Sequence, residues 1–290
     1  MSMIDALNKY TDKNEKVGYI NSLKDIDAFY HRHLMSDYMN NFCNESLNTN
    51  LKEVNEKLGT KSYVPVLKTV DLKDVCEEEK LFEFLEINKL ELPLIIKHSG
   101  PVEFCHLLVC IVSKGGIKNY LDFVKEKAKL YNINDISLVI QHFVNHGGYF
   151  IKLFYINGKS FPYVRPSLPD LSPDLENTTE KFKHGFYSFI TDDLLTKSYL
   201  DFWKGQQLKS VKIEDLISRD YLQGVCDSFK NFSGISMFGL DLIYNYSENI
   251  YYLVDMNYFP GYKELKMDFS DLMIQHVVKI KKSGFGTINR

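Results

Sequence analysis

Asp241 and Asp255 each interrupt an otherwise apolar stretch of the sequence. If residues 246–250 form a turn, an antiparallel hairpin centred near residue 248 places these two carboxylates directly opposite each other. Like charges in that position destabilise a sheet by about 0.2–1 kcal/mol when exposed, and by more when buried, unless a cation neutralises them. Asn257 points to the same face as Asp255, so the three side chains form a set of oxygen ligands that suits Mg²⁺. The alternative, in which each aspartate ends its strand and caps a turn, stays open on spacing alone.

Three basic residues lie in or beside apolar runs where a solvated charge is not expected. Lys97 ends one such run and Lys152 lies inside another, so each is predicted to meet an anion. Phosphate is the natural candidate, because a lysine supplies a compact point charge that neutralises it. Arg165 closes a strand before a proline and Ser167, which would form a phosphate clamp. The alternatives are lysines that extend to a strand edge and an ordinary exposed arginine.

The histidines and cysteines do not match a familiar zinc pattern. Cys105, His106 and Cys110 have the wrong spacing, and a lone histidine before an apolar strand is more often structural. His142 and His146 are four residues apart but lie across a strand–turn boundary, so they do not share a helix face as in a metalloprotease motif.

The elements that must position these residues are strands mixed with helices. Asn-His-Gly-Gly and Asn-Gly are turn signals, and they predict two hairpin connections between residues 138 and 164. The polar stretch 166–180 reads as a long loop. Further strands are predicted at 237–246 and 250–256, with helices at 119–130, 213–232 and 270–281. This pattern predicts an α+β fold with substantial antiparallel pairing.

Composition excludes several classes of function. The net charge is −3, from 35 basic and 38 acidic residues, so neither nucleic acid nor an acidic membrane is an expected partner. The chain shows no basic-then-apolar leader and no run of about 18 apolar residues, which argues against secretion and membrane spanning. Its five cysteines contain no Cys-x-x-Cys pair and leave an odd number, which favours a reducing cytoplasm. A monomer is expected.

Four motifs occur together and in order. They are Gln141-His-Phe-Val-Asn-His-Gly-Gly, Arg165-Pro-Ser-Leu-Pro, Phe238-Gly-Leu-Asp and Asp255-Met-Asn-Tyr-Phe-Pro-Gly. With Lys152 they resemble the inositol 1,3,4-trisphosphate 5/6-kinase family, also known as the inositol-tetrakisphosphate 1-kinase family. The resemblance implies an ATP-grasp fold with ATP between two antiparallel sheets. It also implies Mg²⁺-dependent transfer of the ATP γ-phosphate to a ring hydroxyl of an inositol polyphosphate.

The resemblance also implies a role for each matching residue. ATP would be bound by Arg32, Lys97, Gln141, His142, Phe143, Val144, Lys152, Ser167 and Ser188. The inositol phosphate would be bound by His106, Lys152, Arg165, Asn257 and Gly261. Mg²⁺ would be held by Asp241, Asp255 and Asn257, and the catalytic residues would be Lys152, Arg165 and His106.

The family's N-terminal α/β segment, with its substrate-binding lysines, has no counterpart in this sequence. We therefore expect residues 1–66 to be a remnant helical and linker segment and residues 67–290 to be the ATP-grasp domain. The missing lysines leave open a non-catalytic module that binds ATP or an inositol phosphate. An ATP-grasp carboxylate–amine ligase, which would use the same lysines and metal, is the other alternative.

Overall fold

The computed structural model describes residues 21, 29, 32–99, 107–178, 180–190, 218–260 and 269–283. Its helices are α1 Arg32–Asn41, α2 Asn48–Asn50, α3 Lys52–Leu58, α4 Glu78–Ile87, α5 Lys114–Leu130, α6 Leu175–Thr178, α7 Arg219–Ser233 and α8 Phe269–Ser283. A π-helical turn, Phe42–Leu47, follows α1 directly. The strands are β1 Lys61–Tyr63, β2 Leu67–Asp71, β3 Leu94–Ser99, β4 Leu107–Ile111, β5 Ser137–His142, β6 Tyr149–Ile156, β7 Lys159–Pro166, β8 Phe186–Ile190, β9 Phe238–Asn245 and β10 Ile250–Asn257.

Local sequence signals fix the ends of the two helices that flank the sheets. The hydroxyl of Ser113 accepts a hydrogen bond from the Gly116 amide and caps α5. Ser218 caps α7 in the same way, and Gly234 ends that helix in the left-handed conformation. The helix predicted at 213–232 corresponds to α7, which begins at Arg219, after its cap Ser218. Residues 213–217 lie outside the described part.

Within the described ranges, ten strands form two five-stranded sheets. Sheet A has the order β1-β10-β9-β6-β7 and sheet B the order β2-β5-β3-β4-β8. Neighbouring strands are antiparallel throughout, except that β1 runs parallel to β10. The predicted α+β class with largely antiparallel pairing is confirmed.

One of the two predicted hairpins is present and the other is wrong. Asn157 and Gly158 both have positive φ and join β6 to β7, as the Asn-Gly signal predicts. The segment Asn145–Gly148, however, leads from β5 in sheet B to β6 in sheet A, and these two strands do not pair. Gly147 and Gly148 have positive φ as well, so here the same backbone signal serves a crossing between sheets.

Sheet A has a core that begins well before β1. Phe29, Met39, Phe42 and Leu47 pack with α7 and with the inner face of β6, β9 and β10. β1 pairs with β10 and adds residues 61–63 to the sheet. The division at residue 66 stays a prediction, while the segment before it supplies part of this core.

Sheet B is covered by helices on one face. Apolar residues of α4 and α5 pack on Ile96, Val109 and Ile140. The opposite face carries Lys97. This face points toward sheet A, because the Lys97 ammonium donates a hydrogen bond to the Val254 carbonyl on β10. In the part of the chain that the structure describes, no helix combines the length and apolarity needed to cross a membrane.

The first turn of α5 contains two adjacent glycines in very different surroundings. A Cβ on Gly116 would lie 2.0 Å from the carbonyl oxygen of Gly185, whereas a Cβ on Gly115 would meet nothing closer than 3.7 Å. We expect Gly116→Ala to destabilise the protein by about 3 kcal/mol or more, because backbone would have to move. Gly115→Ala, the control, should be neutral or stabilise the fold by up to about 1 kcal/mol. Urea denaturation of both variants checks this, and equal effects would contradict it.

His276 on α8 links that helix to sheet A. Its Nδ1 accepts from the Asn157 amide at 3.2 Å, and its Nε2 lies 3.1 Å from the Ser236 hydroxyl. Burial, and secondly the charges of Lys279 and Lys230, lower its pKa below the ordinary 6.5.

This lowered pKa predicts a loss of stability in acid. Below pH 6.5 the unfolded chain takes up the proton more readily than the folded protein, so stability present above that pH is lost as the pH falls toward the folded pKa. We expect the urea midpoint to drop less between about pH 7.5 and about pH 5.5 in His276→Gln than in the wild type. The control His184→Gln replaces an exposed histidine, and its urea midpoint should drop with pH as much as that of the wild type.

Candidate active site

Three charged side chains form a row across the centre of sheet A. Asp241 on β9 pairs with Asp255 on β10 on one side and with Lys152 on β6 on the other. The predicted pairing of the two carboxylates is confirmed. Paired residues in a sheet point to the same face, so one lysine and two carboxylates share the face that looks toward sheet B.

A β-bulge at Val254 creates this arrangement. From the turn onward β10 pairs regularly, with Ile250 opposite Asn245 and Leu253 opposite Leu242, and the register then shifts by one residue. Leu253 and Met256 both face the apolar core of sheet A, although they are three residues apart. Because Val254 is the extra residue, Asp255 lies on the site face and not in that core.

The Asp241 side chain is half-buried, and its carboxylate is incompletely satisfied. Among the described residues its Oδ1 has no hydrogen-bond partner. Burial, and then the neighbouring charge of Asp255, raise the pKa of Asp241 to about 7, although Lys152, Lys97 and Arg165 act in the opposite direction. Such a carboxylate is costly to bury without a cation, so its chemistry fits a divalent metal.

The set that could hold this cation consists of Asp241, Asp255 and Asn257. Asn257 pairs with Gly239, two residues along each strand from the carboxylate pair, so its side chain lies on the same face. No group of three or more His, Cys, Asp or Glu side chains with metal-binding geometry occurs within the described ranges. Two carboxylates and a neutral amide oxygen are hard ligands, which suits Mg²⁺ better than zinc.

Gly239 allows the chain after β10 to return over the site face. A Cβ at this position would lie 2.9 Å from Cβ of Pro260. The glycine of the Phe-Gly-Leu-Asp motif therefore has a packing reason in this fold. It lets the segment that follows Asn257 approach the sheet closely.

Lys97 connects sheet B to the site. On β3 it pairs with Leu108 and Val139, and its Nζ donates a 2.8 Å hydrogen bond to the carbonyl oxygen of Val254. The backbone of the bulge is thus held from the opposite sheet. This contact, together with the influence of Lys97 on Asp241, places a second cation over the carboxylate row.

Lys152 forms the end of the row nearest to β7, and Phe154 and Arg165 lie on either side of it along the strand direction. The Lys152 ammonium lies 5.7 Å from the centre of the Phe154 ring, and Phe154 packs against Leu272 of α8. Helix α8 therefore covers the sheet just beyond Lys152. Arg165 pairs with Phe150 on the other side of Lys152, and its charge lowers the pKa of Asp241.

The residues predicted to line the adenine lie at the end of β5. Gln141 is buried and pairs with Ile95 on β3. Ile95 lies two residues before Lys97 and shares its face, so the Gln141 side chain also points to the face between the sheets. His142 accepts the Glu91 amide at its Nε2, and the Phe143 amide donates to Pro93. Their contact with a nucleotide stays a prediction.

The remaining predicted residues fall in three groups. Ser167 follows β7 and is 2.8 Å from Nε2 of His146, a residue to which sequence reasoning assigned no role. Ser188 pairs with Val109, whose side chain packs on the helical face, so the Ser188 side chain points away from Lys97. His106 and Gly261 lie outside the described residues, and Arg32 begins α1 with a side chain that is not among those described.

Two facing antiparallel sheets with this site between them define a protein of the ATP-grasp class. Residues 61–279 match the family model described as inositol 1,3,4-trisphosphate 5/6-kinase ATP-grasp domain. This match covers more than half of the chain, and the chain therefore belongs to that family.

Individual relatives agree at modest identity. Inositol-tetrakisphosphate 1-kinase of Xenopus laevis is 27% identical over 215 residues, which cover 73% of this chain and 48% of the relative. Inositol-tetrakisphosphate 1-kinase 4 of Glycine max is 26% identical over 262 residues, which cover 88% and 66%. The match to inositol-tetrakisphosphate 1-kinase 1 of Arabidopsis thaliana spans 51% of that protein. This chain thus spans about half the length of several of these relatives.

Two solved structures show distant similarity. The VanG D-Ala:D-Ser ligase from Enterococcus faecalis is 18% identical, with a TM-score of 0.41 and coverage of 85% of this chain and 63% of the ligase. N5-carboxyaminoimidazole synthase from Aspergillus clavatus is 10% identical, with a TM-score of 0.43 and coverage of 88% and 50%.

Proposed function

We propose that this protein is a Mg²⁺-dependent kinase that transfers the γ-phosphoryl group of ATP to a ring hydroxyl of an inositol polyphosphate. The supporting observation is the row of Lys152, Asp241 and Asp255 beneath Lys97, in a member of this family. Two facing carboxylates, of which Oδ1 of Asp241 has no hydrogen-bond partner among the described residues, require a cation, and the surrounding lysines require an anion. A metal–phosphate complex supplies both.

In this proposal Asp241, Asp255 and Asn257 hold Mg²⁺. When bound, the metal supplies charge neutralisation and a template for the nucleotide phosphates. The protein contributes a rigid position for its ligands, because all three side chains belong to one β-hairpin whose register is fixed by the Val254 bulge. Asn257 would also approach the inositol phosphate.

The basic residues bind and orient the phosphates. Lys152 lies beside the two carboxylates, Lys97 approaches them from sheet B, and Arg165 lies beyond Lys152 on β7. Phosphoryl transfer leaves little covalent chemistry to the protein, so catalysis rests on positioning and on stabilising the charge of the moving group. Lys152 and Arg165 are the proposed catalytic residues within the described part, and His106 is the third.

ATP and an inositol polyphosphate are the proposed ligands. Residues 141–144 would line the adenine, with Arg32 and Ser167 as further nucleotide contacts and Gly261 as a further substrate contact. We also propose a cytoplasmic monomer that binds neither nucleic acid nor membrane. The balanced charge and the free cysteines Cys43, Cys76, Cys110 and Cys226 support this environment.

Mg-ATP turnover with a panel of inositol tris- and tetrakisphosphates tests the proposal. We expect ADP release together with a product that carries one more phosphate, and loss of both when EDTA removes the metal. ADP release that requires a carboxylic acid and an amine would identify a ligase. Tight ATP binding with no turnover on any substrate of the panel would identify a binding module and overturn the kinase.

A further inference from the structure

His146 is a buried histidine with one hydrogen-bond partner at each ring nitrogen. Only 4% of the residue is exposed. Its Nδ1 lies 2.7 Å from the carbonyl oxygen of Val144, and its Nε2 lies 2.8 Å from Oγ of Ser167. The ring therefore connects the end of the predicted adenine-lining segment to a predicted nucleotide contact.

These partners determine where the protons are. A carbonyl oxygen can only accept, so Nδ1 of His146 must carry a proton and donate to Val144. Burial lowers the pKa of His146, although its bond to Val144 and the charge of Asp170 act against this, so the ring is neutral near pH 7. Nε2 then has no proton, and the Ser167 hydroxyl must donate to it. Ser167 is left with lone pairs alone for any other partner.

The position of Ser167 is fixed by its surroundings. Its amide donates to Gly148 at 2.8 Å. The Asp170 carboxylate accepts from the amides of His146 and Gly147 at 2.8 and 2.7 Å. The segments before β6 and after β7 are thus joined at several points, which holds the hydroxyl in one orientation.

We propose that His146 is a positioning residue that makes Ser167 an obligate hydrogen-bond acceptor, and that Ser167 binds a ribose hydroxyl of the nucleotide. This inference rests on the proposed function, since it names a contact in that nucleotide site. Phosphate oxygens only accept hydrogen bonds, so they cannot pair with Ser167, whereas ribose hydroxyls can donate. Through the His146 ring, Ser167 is joined to Val144 of the proposed adenine-lining segment, and it follows the proposed phosphate-binding Arg165 by two residues.

NMR of protein labelled with ¹⁵N-histidine tests the hydrogen-bond direction without a nucleotide. We expect the His146 ring as the neutral Nδ1–H tautomer at pH 7. The signal is assigned by its absence in His146→Gln and by a selective shift of its Nε2 in Ser167→Ala. An Nε2–H tautomer, or a charged ring, would overturn the inference whatever the protein binds.

Calorimetry with ADP, 2′-deoxy-ADP and 3′-deoxy-ADP tests the ribose contact. We expect Ser167→Ala to weaken ADP binding by about 3- to 10-fold. The loss should vanish for the one analogue that lacks the contacted hydroxyl. Equal losses for all three nucleotides would overturn the ribose contact while leaving the proposed function intact. A wild type that binds no ADP would overturn the proposed function together with the contact.

Two substitutions of His146 separate positioning from general structure. Gln can place a carbonyl oxygen where Nε2 accepts from Ser167, and Leu cannot. We expect His146→Gln to bind ADP more tightly than His146→Leu, and this difference to disappear when Ser167→Ala is added. A difference that persists without the Ser167 hydroxyl would show a purely structural effect of His146 and overturn its positioning role.

Discussion

Asp241→Asn is expected to abolish most of the turnover while making the metal-free protein more stable. The substitution removes one anionic ligand of the proposed metal site, which should lower turnover by about 100-fold or more. It also removes a half-buried charge that faces Asp255 and whose buried Oδ1 has no hydrogen-bond partner in the described structure. The new amide can donate to Asp255, so the like-charge repulsion becomes an attraction.

Thermal unfolding with EDTA and with Mg²⁺ measures both effects. In EDTA, a gain of about 1 kcal/mol would raise the midpoint by about 2–4 °C. Mg²⁺ at 100 times its Kd should stabilise the wild type by about 2.7 kcal/mol and so raise its midpoint. It should not raise the midpoint of the variant. Asp122→Asn, at an exposed position on α5, is the matched control and should change neither stability nor turnover. A variant less stable in EDTA, or equally stabilised by Mg²⁺, would contradict the metal assignment.

Lys152→Met should produce a comparable loss of turnover with the opposite effect on stability. Methionine keeps much of the length of the side chain but removes the cation beside Asp241. We expect turnover to fall by about 100-fold or more, because the charge on the transferred phosphoryl loses a fixed partner. The two carboxylates also lose a compensating charge, so the metal-free protein should become less stable.

A double-mutant cycle with Asp241→Asn makes this prediction specific. If Lys152 acts on the Asp241 charge, the stability cost of Lys152→Met should shrink once Asp241 is neutral. Lys159→Met is the matched control, since Lys159 is exposed on the neighbouring strand β7 and pairs with Ile156. Additive effects on stability, with turnover retained, would show that Lys152 is an ordinary strand lysine.

The sequence predicts the pairing of the carboxylates but not the reason for it. Equal distances from a turn near residue 248 do bring Asp241 opposite Asp255. The pairs next to the turn, however, follow a register that would put Val254 in that position. Apolar alternation is uninformative here because Leu253, Val254 and Met256 are all apolar, so the sequence does not show which of them is the extra residue in the bulge.

The contacts that the sequence leaves hidden are those between distant segments. Lys97 donates to a carbonyl 157 positions away, and His146 is joined to a serine 21 positions away. Neither partner is marked by residue type, since one is a backbone oxygen and the other a common hydroxyl. The glycines before β6 indicate a turn of the backbone, but which sheet the next strand joins is decided by tertiary packing.

The Val254 bulge affects how the hairpin folds and what a substitution at Asp255 changes. A hairpin that forms from its turn would continue the initial register, which places Asp255 on the face of Leu253, in the apolar core, and turns Met256 to the opposite face. Desolvation of a carboxylate disfavours that alternative, so Asp255 itself selects the shifted register during folding. An apolar residue at position 255 would remove this selection and allow β10 to slide by one residue, which displaces Asn257 as well. Asp255→Asn, which keeps a polar group at this position, therefore separates the loss of a ligand from the loss of the register.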